Sequence, residues 1–171
     1  KLLEPLFMLP LGASAVTLGL GFLLIFNRPP WANSRFPLMI PIAHSLIALP
    51  FVVRTILPAI RSIPESLREA SRTLGANPLQ VLLKVDLPIV LRSLLVSLVF
   101  AFTISLGEFG ATSFLSNPHA PTIPVAIYRY ISQPGALNYG QALAMSSLLL
   151  LVCGLGSILI EKIRLPGEEL F

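Results

Sequence analysis

The chain alternates long apolar runs with short polar connections, and the apolar runs are long enough to cross a membrane. A helix of about 20 residues covers the ~30 Å hydrocarbon core of a bilayer. We predict a spanning helix in each of four runs. They cover residues 5–27, 36–60, 88–107 and 141–160. The predicted fold class is therefore an all-α, polytopic helical membrane bundle.

Prolines interrupt the second of these runs. They are Pro41, Pro50 and Pro58. A proline has no backbone N–H to donate, and inside a helix its ring clashes with the carbonyl four residues earlier. We therefore expect this helix to be kinked or partly unwound and shielded from lipid by other protein.

A polar segment, residues 61–87, separates the second run from the third and predicts two short helices joined by a turn. We name it the polar loop. Ser62 and Glu65 have the spacing of a capping box, and Pro64 suits a first helical turn. Gly75 supplies the left-handed backbone conformation that commonly ends a helix.

The second helix of the polar loop is predicted to begin at Asn77, a favoured N-cap residue that precedes Pro78 at the first helical position. We expect this helix to run to about Val85. Asp86 and Pro88 repeat the pattern of a cap followed by proline. This repeat predicts a separate start for the third spanning helix.

The first helix of the polar loop carries charge on one side, at the i, i+3, i+4 and i+7 spacing of a single helix face. The charged positions are Glu65, Arg68, Glu69 and Arg72. Small and apolar residues occupy another side, namely Leu67, Ala70, Ser71 and Leu74. The polar loop is therefore predicted to be a compact helix–turn–helix with a charged face.

Composition excludes a soluble domain. The chain is 54% hydrophobic and 12% charged, with a mean hydropathy of +0.82. Its net charge of +4 is modest, and the basic residues lie beside apolar runs rather than in a patch with aromatics. We therefore expect the partner surface to be a lipid bilayer and not nucleic acid. Cys153 lies in an apolar run and predicts a packing residue, not a disulfide.

The distribution of Lys and Arg predicts the orientation of the chain. If the polar loop is cytoplasmic, that side holds Lys1, Arg61, Arg68, Arg72, Lys84, Arg92, Lys162 and Arg164. The far side then holds Arg28, Arg35 and Arg129. This excess places the polar loop and both termini in the cytoplasm. Residues 108–140, which several prolines break up, become a periplasmic segment.

The sequence contains no motif of an enzyme. It has no glycine-rich phosphate loop, no pair of histidines at metal spacing and no Gly-x-Ser-x-Gly. We therefore expect neither enzyme activity nor a cofactor in this chain.

Polar and aromatic residues at membrane depth are candidates for a translocation pathway. His44 lies within the second run, and Glu108 lies between two glycines at the end of the third. Such residues are costly to bury and commonly functional. For His44 an interhelical hydrogen bond is an equal alternative. Phe109, Tyr128 and Tyr139 are the aromatic candidates on the outer side.

The polar loop resembles the EAA loop of ABC importer permeases. The matching run is Glu69-Ala70-Ser71-x-x-x-Gly75, followed by Leu87-Pro88. Ser71 stands where that signature has a second alanine, which exchanges one small residue for another. The resemblance implies that this element couples to a cytoplasmic ATPase subunit by docking in a groove of it. The matched positions are Glu69, Ala70 and Gly75.

Further stretches extend the resemblance toward particular substrates. Residues 107–112, Gly-Glu-Phe-Gly-Ala-Thr, are similar to permeases for oxyanions, ferric iron and thiamine. Residues 124–129 and 135–142 resemble thiamine permeases most. The resemblance implies an ATPase dimer, a periplasmic substrate-binding protein and a second permease half as partners. Some of these permeases are tandem fusions, and this chain, which lacks an initiator Met, is expected to be a second half.

The substrate ranking that follows is thiamine first, ferric iron second, and molybdate or sulfate third. A different class, the ion-coupled secondary transporter, stays open as an alternative. It would require acidic ion-binding residues at mid-membrane, for which Glu108 is the candidate.

Overall fold

The computed structural model describes residues 3–26, 28, 38–117 and 119–163. In this part of the chain the regular structure is helical, apart from an isolated β-bridge between Asn117 and Ala120. The helices are α1 (Leu3–Met8), α2 (Ala15–Phe26), α3 (Met39–Arg61), α4 (Glu65–Thr73), α5 (Pro78–Val81), α6 (Leu87–Gly107), α7 (Thr112–Leu115), α8 (Ile123–Ile131) and α9 (Ala136–Ile163). A 3₁₀ turn, Leu9–Gly12, follows α1, and a π turn, Leu82–Asp86, joins α5 to α6.

The described residues hold three helices that are long and apolar enough to cross a membrane. They are α3, the continuous helical run Pro78–Gly107, and α9. A fourth span is reached if α1 and α2 are counted together. The helical, polytopic fold class predicted from the sequence is confirmed.

The first predicted span is not one helix, so the prediction of a continuous helix from residue 5 is wrong within residues 5–26. Residue 27 of the prediction lies outside the described residues. The segment Pro5–Gly12 and helix α2 meet at an angle of 95°. Pro10 lies in the 3₁₀ turn, and Ala13 after it has an extended backbone. The hydroxyl of Ser14 then accepts a hydrogen bond from the Thr17 N–H at 3.1 Å, which gives α2 a new start.

The second predicted span stays helical through its prolines, so the expected unwinding is wrong. Pro41 is the third residue of α3, where a backbone N–H has no partner within the helix. Pro50 is fully buried and Pro58 lies in the last turn. Neighbouring helices therefore surround α3 at Pro50, where the hydrogen bond that a backbone N–H would donate is missing. Residues 36 and 37 of the prediction lie outside the described residues.

The third span does not start separately at Asp86, so that prediction is wrong too. Asp86 has helical backbone angles and makes no capping bond. The chain instead passes through the π turn, where the Leu87 N–H donates to the Leu82 carbonyl five residues back. Pro88 cannot donate to the carbonyl of Lys84, and a π turn accommodates such a missing bond. The helix predicted to end near Val85 therefore continues into α6.

Small residues let the long helices approach closely. α6 packs between α3 and α9, α8 packs on α9, and α2 packs on α7. A Cβ on Gly19 would lie 2.6 Å from the Ala111 Cα, so α2 touches the backbone before α7 directly. The buried residues are mostly small, such as Ala43, Ser97 and Ala142. Large apolar side chains, in contrast, cover the outside, as expected for a protein in lipid.

Candidate functional site

The first helix of the polar loop begins later than predicted. α4 starts at Glu65, and its N-cap residue, Pro64, makes no side-chain capping bond. Ser62 keeps a helical backbone at the end of α3, and its hydroxyl donates to the Ala59 carbonyl at 2.8 Å. The predicted capping box of Ser62 and Glu65 is therefore wrong. A serine at the end of a helix bonds the preceding turn when its backbone remains helical.

The turn after α4 confirms the prediction for Gly75. Gly75 has φ +85°, a left-handed conformation that a residue with a Cβ adopts at a cost. The Ala76 N–H donates to the Ser71 carbonyl at 3.0 Å, and the Gly75 N–H donates to the Arg72 carbonyl at 2.9 Å. This pair of bonds is a Schellman motif, which satisfies two carbonyls at the end of the helix.

The predicted cap at Asn77 is confirmed, and it is stronger than the sequence argument supposed. The Asn77 side chain accepts from the Gln80 N–H at 2.8 Å. The Gln80 side chain accepts in return from the Asn77 N–H at 3.0 Å. This is a reciprocal capping box, and the Asn-Pro-x-Gln pattern signals it. Two caps on one short turn hold the helix–turn–helix in a defined shape.

The charged face of α4 divides into residues with partners in the loop and one without. Glu65 pairs with Arg68 at 3.3 Å and with Arg72 at 3.4 Å. Arg68 also donates from Nε to Asp86 Oδ1 at 2.9 Å. These bonds, first to Asp86 and then to Glu65, raise the pKa of Arg68 above its usual value. Glu69 is exposed, and no ion pair in the polar loop involves it.

Large apolar side chains are exposed beside these charges. Leu74, in the turn, is 88% exposed, and Leu79 on α5 is 61% exposed. Ala70, one of the matched positions of the EAA-like run, is also exposed. The polar loop therefore presents a face with both apolar and charged character, which is the usual make-up of a protein–protein contact.

A second polar cluster lies at the opposite end of α6 and joins three segments. We name it the His44 cluster; it consists of His44, Ser105, Glu108 and Thr112. His44 Nδ1 and Ser105 Oγ share a hydrogen bond of 2.5 Å, which links α3 to α6. His44 Nε2 is buried, makes no hydrogen bond, and lies 3.5 Å from Glu108 Oε2. The predicted interhelical hydrogen bond of His44 is thereby present.

Both oxygens of the Glu108 carboxylate in this cluster accept hydrogen bonds from the backbone. Its Oε1 accepts from the Ala111 N–H at 2.7 Å, and its Oε2 accepts from the Thr112 N–H at 3.0 Å. The Thr112 hydroxyl donates to the Glu108 carbonyl at 2.9 Å. Glu108 is 7% exposed and Thr112 is fully buried. The carboxylate therefore organises the turn into α7, a task the sequence did not reveal.

The aromatic candidates occupy two different places. The rings of Phe109 and Tyr128 lie with centroids 5.4 Å apart, and Tyr128 is 58% exposed. Tyr139 is equally exposed but lies on the first turn of α9, apart from that pair. Phe109 and Tyr128 thus form an accessible aromatic surface next to the His44 cluster. A pathway role for these residues and for His44 and Glu108 stays a prediction.

A cavity of about 900 Å³ lies between α3, α6 and α9. Its lining is mainly apolar, with polar side chains from His44, Ser45 and Ser105. Gly156 of α9 also borders the cavity. A Cβ at Gly156 would lie 2.7 Å from Thr103 Oγ1, so α9 lies close to α6 at this position. The His44 cluster therefore borders open space as well as packed backbone.

The fold and the polar loop define a polytopic helical membrane protein with an exposed helix–turn–helix between two spanning helices. Residues 1–164 match the family described as binding-protein-dependent transport system inner membrane component, and the chain belongs to this family. The resemblance to ABC importer permeases is thereby confirmed. Family and apolar helices together identify a multi-pass inner-membrane protein.

Individual relatives are named for chemically different substrates. The chain is 38% identical over 112 residues to the molybdenum transport system permease protein ModB of Haemophilus influenzae, which covers 64% of this chain and 49% of that protein. It is 30% identical over 156 residues to the probable sulfate transport system permease protein cysT of Anthoceros angustus, which covers 89% of this chain and 50% of that protein. It is 32% identical over 123 residues to the putrescine transport system permease protein PotI of Escherichia coli, which covers 70% of this chain and 44% of that protein. The chain spans about half the length of the curated relatives it matches.

Proposed function

We propose that this chain is part of the permease subunit of an ATP-driven importer, which receives a small substrate from a periplasmic binding protein and releases it into the cytoplasm. The observation that carries the proposal is the polar loop, an exposed and doubly capped helix–turn–helix between two membrane-spanning helices. ATP hydrolysis is assigned to a separate subunit dimer. A second permease half completes the pathway.

The chemistry of the polar loop supports docking of the ATPase subunit there. Leu74 and Leu79 offer apolar contact area, and Glu69 offers a carboxylate that is not engaged within the loop. Apolar contacts supply most of the affinity of such a surface, while the charge favours one partner and one register. Membership of the family agrees with an ATPase partner in general.

The test is retention of the ATPase subunit by the complete permease purified from membranes. We expect Glu69→Lys to weaken retention of the ATPase subunit and transport together, because it reverses the charge that is proposed to face that subunit. Glu161→Lys is the matched control, since it reverses an exposed charge at the end of α9, outside the polar loop. If Glu69→Lys keeps full retention and full transport, the polar loop is not the coupling element.

We further propose that the polar loop and both termini of this segment face the cytoplasm. The excess of Lys and Arg on that side supports this orientation. In a Cys153→Ala background, a cysteine at Asn117 is expected to react with an impermeant thiol reagent added to intact cells with a permeabilised outer membrane. A cysteine at Asn77 is expected to react only after the inner membrane is opened. The reverse labelling pattern contradicts the orientation.

For the substrate we propose thiamine, a cation with two aromatic rings. Residues 124–129 and 135–142 support it through their resemblance to thiamine permeases. The accessible ring pair of Phe109 and Tyr128 supports it through stacking and cation–π contact. The Glu108 carboxylate adds little, because it is 7% exposed and both of its oxygens already accept backbone hydrogen bonds.

Molybdate or sulfate is the second candidate, and a specific observation favours it. Two of the relatives described above are named for molybdenum and sulfate transport. The putrescine relative shows that the same family also includes permeases named for a cation. Family membership therefore supports both candidates, and uptake has to decide between them.

The deciding experiment compares uptake of labelled thiamine and labelled molybdate in a strain that lacks this gene and other importers of either compound. Restored thiamine uptake on adding the gene supports thiamine. Restored molybdate uptake with unchanged thiamine uptake contradicts thiamine and supports the second candidate. Restored ferric iron uptake alone contradicts both.

A further inference from the structure

The ion pairs of the polar loop differ in how well water is excluded from them. Glu65 and Arg72 have 57% and 58% of their side chains exposed, whereas Arg68 and Asp86 have 23% and 20% exposed. The Arg68–Asp86 pair also has the shorter distance, 2.9 Å against 3.4 Å. Exposed pairs contribute little, and partly shielded pairs with short, direct hydrogen bonds contribute more. Arg68–Asp86 is therefore the pair best able to hold two elements together.

The Arg68–Asp86 pair connects two elements that are otherwise weakly joined. Arg68 lies on α4, and Asp86 is the last residue of the π turn before α6. α4 has no buried residue, so apolar packing does not fix it to the bundle. Among the described residues, no other side-chain hydrogen bond or ion pair joins α4 to the helical run Pro78–Gly107.

The position of Asp86 is suited to moving α6. The π turn is the irregular point of the Pro78–Gly107 run, and π turns are common at functional positions in helices. Beyond it α6 continues for 21 residues, about 30 Å at the rise of an α-helix. Its far end carries Ser105, which bonds His44 of α3. A displacement of Asp86 is therefore transmitted along α6, a continuous helix, to the His44 cluster.

We propose that the Arg68–Asp86 pair is a positioning link that transmits displacement of α4 to the membrane-spanning helix α6. The inference rests on the proposed function, since a docked ATPase subunit supplies the displacement. Arg68 acts through Asp86 and touches no substrate. Without the link, α4 moves with its partner, while α6 follows only through the backbone turn at Gly75.

The test uses the complete transporter, permease with bound ATPase subunits, reconstituted in lipid with a Cys153→Ala background. Nitroxide labels at Phe102→Cys on α6 and Leu150→Cys on α9 report the distance between these helices; both side chains are exposed. MgATP is the probe. The measured quantities are ATPase-subunit retention, ATP hydrolysis and the fraction of complexes whose label distance shifts on adding MgATP.

Four variants separate the link from a general structural effect. We expect Arg68→Ala and Asp86→Ala to keep the ATPase subunit and ATP hydrolysis, while the shifted fraction relative to unshifted falls roughly fivefold or more, a usual size for coupling between sites. The exchange Arg68→Asp with Asp86→Arg is expected to restore most of the shift. Arg92→Ala is the control: it removes an exposed cation from α6, outside the polar loop, and leaves the Arg68–Asp86 link intact, so we expect no change.

Several outcomes overturn the proposal. A full distance shift in both single variants shows that the link is not needed. Absence of a shift in the unmodified transporter shows that α6 does not receive the displacement. Loss of the ATPase subunit in the single variants, or no recovery in the exchange variant, assigns the two residues to docking or to other partners. An unmodified chain that never retains an ATPase subunit contradicts the proposed function itself.

Discussion

The two ends of α6 are fixed by opposite kinds of polar chemistry. At the end near Gly107, the His44 cluster uses a buried carboxylate that accepts two backbone N–H groups. At the end near Asp86, the polar loop uses ion pairs that range from partly shielded to largely exposed to water. Both ends carry acidic side chains, but their surroundings differ. A carboxylate at one end shapes the backbone, and at the other it ties two helices together.

Water explains why these arrangements differ in strength. Water cannot reach a buried N–H group to replace a lost acceptor. Removing the acceptor therefore leaves the folded state with the full desolvation cost of that N–H group. An exposed ion pair that loses a member leaves the other member hydrated, and salt already screens the attraction. We therefore expect the His44 cluster to determine stability and the polar loop to determine what binds and how motion is passed on.

The largest effect is expected from Glu108→Ala. The variant leaves the N–H groups of Ala111 and Thr112 buried without acceptors, which is expected to cost about 2–4 kcal/mol of unfolding free energy. Denaturant unfolding of the purified protein in detergent measures it. The matched control is Glu65→Ala, which removes an exposed carboxylate. Equal losses in the two variants would abolish the contrast between the ends of α6.

A second test asks whether α2 is held against the turn of the His44 cluster. Gly19→Ala places a Cβ 2.6 Å from the Ala111 Cα, so the helix has to shift. We expect a loss of about 1–3 kcal/mol in the same unfolding assay. Gly21→Ala lies on the same helix, and its Cβ meets nothing within 4 Å. An unchanged unfolding free energy in the Gly19→Ala variant would show that this close approach does not constrain the folded protein.

In the polar loop, Gly75→Val is expected to act locally. Valine at φ +85° is strained by about 1–2 kcal/mol, and the strain falls on an exposed turn rather than on the bundle. Faster hydrogen exchange at Ala76 and Gln80, with unfolding of the spanning helices unchanged, is the expected result. Gly75→Asn, which tolerates this conformation better, is expected to exchange less rapidly than the valine variant. Global destabilisation by Gly75→Val would contradict the independence of the two regions.

The smallest effect is expected from Asn77→Ala. It removes one half of the capping box with Gln80, a loss of about 1 kcal/mol confined to α5. Hydrogen exchange of the first turn of α5 measures this loss. Asn77→Asp serves as the control, because aspartate also caps helices well. If the amides of the first turn of α5 exchange no faster in Asn77→Ala than in Asn77→Asp, the capping box does not stabilise α5.

The sequence determined the features that depend on residues close together in the chain. The apolar runs predicted three of the spanning helices because the length of a helix in lipid depends on local hydropathy alone. Gly75 and Asn77 predicted the turn of the polar loop, since a left-handed residue and an N-cap act within a few positions. The EAA-like run led to the correct family for the same reason.

Tertiary structure decided which of several local options each polar residue takes. Ser62 and Asp86 both fit the pattern of a cap, yet Ser62 bonds the preceding turn and Asp86 bonds Arg68, 18 residues earlier. His44 and Ser105 lie 61 residues apart, so no spacing in the sequence relates them. A side chain with several possible partners takes the one that packing brings within about 3 Å, and packing is a property of the whole bundle.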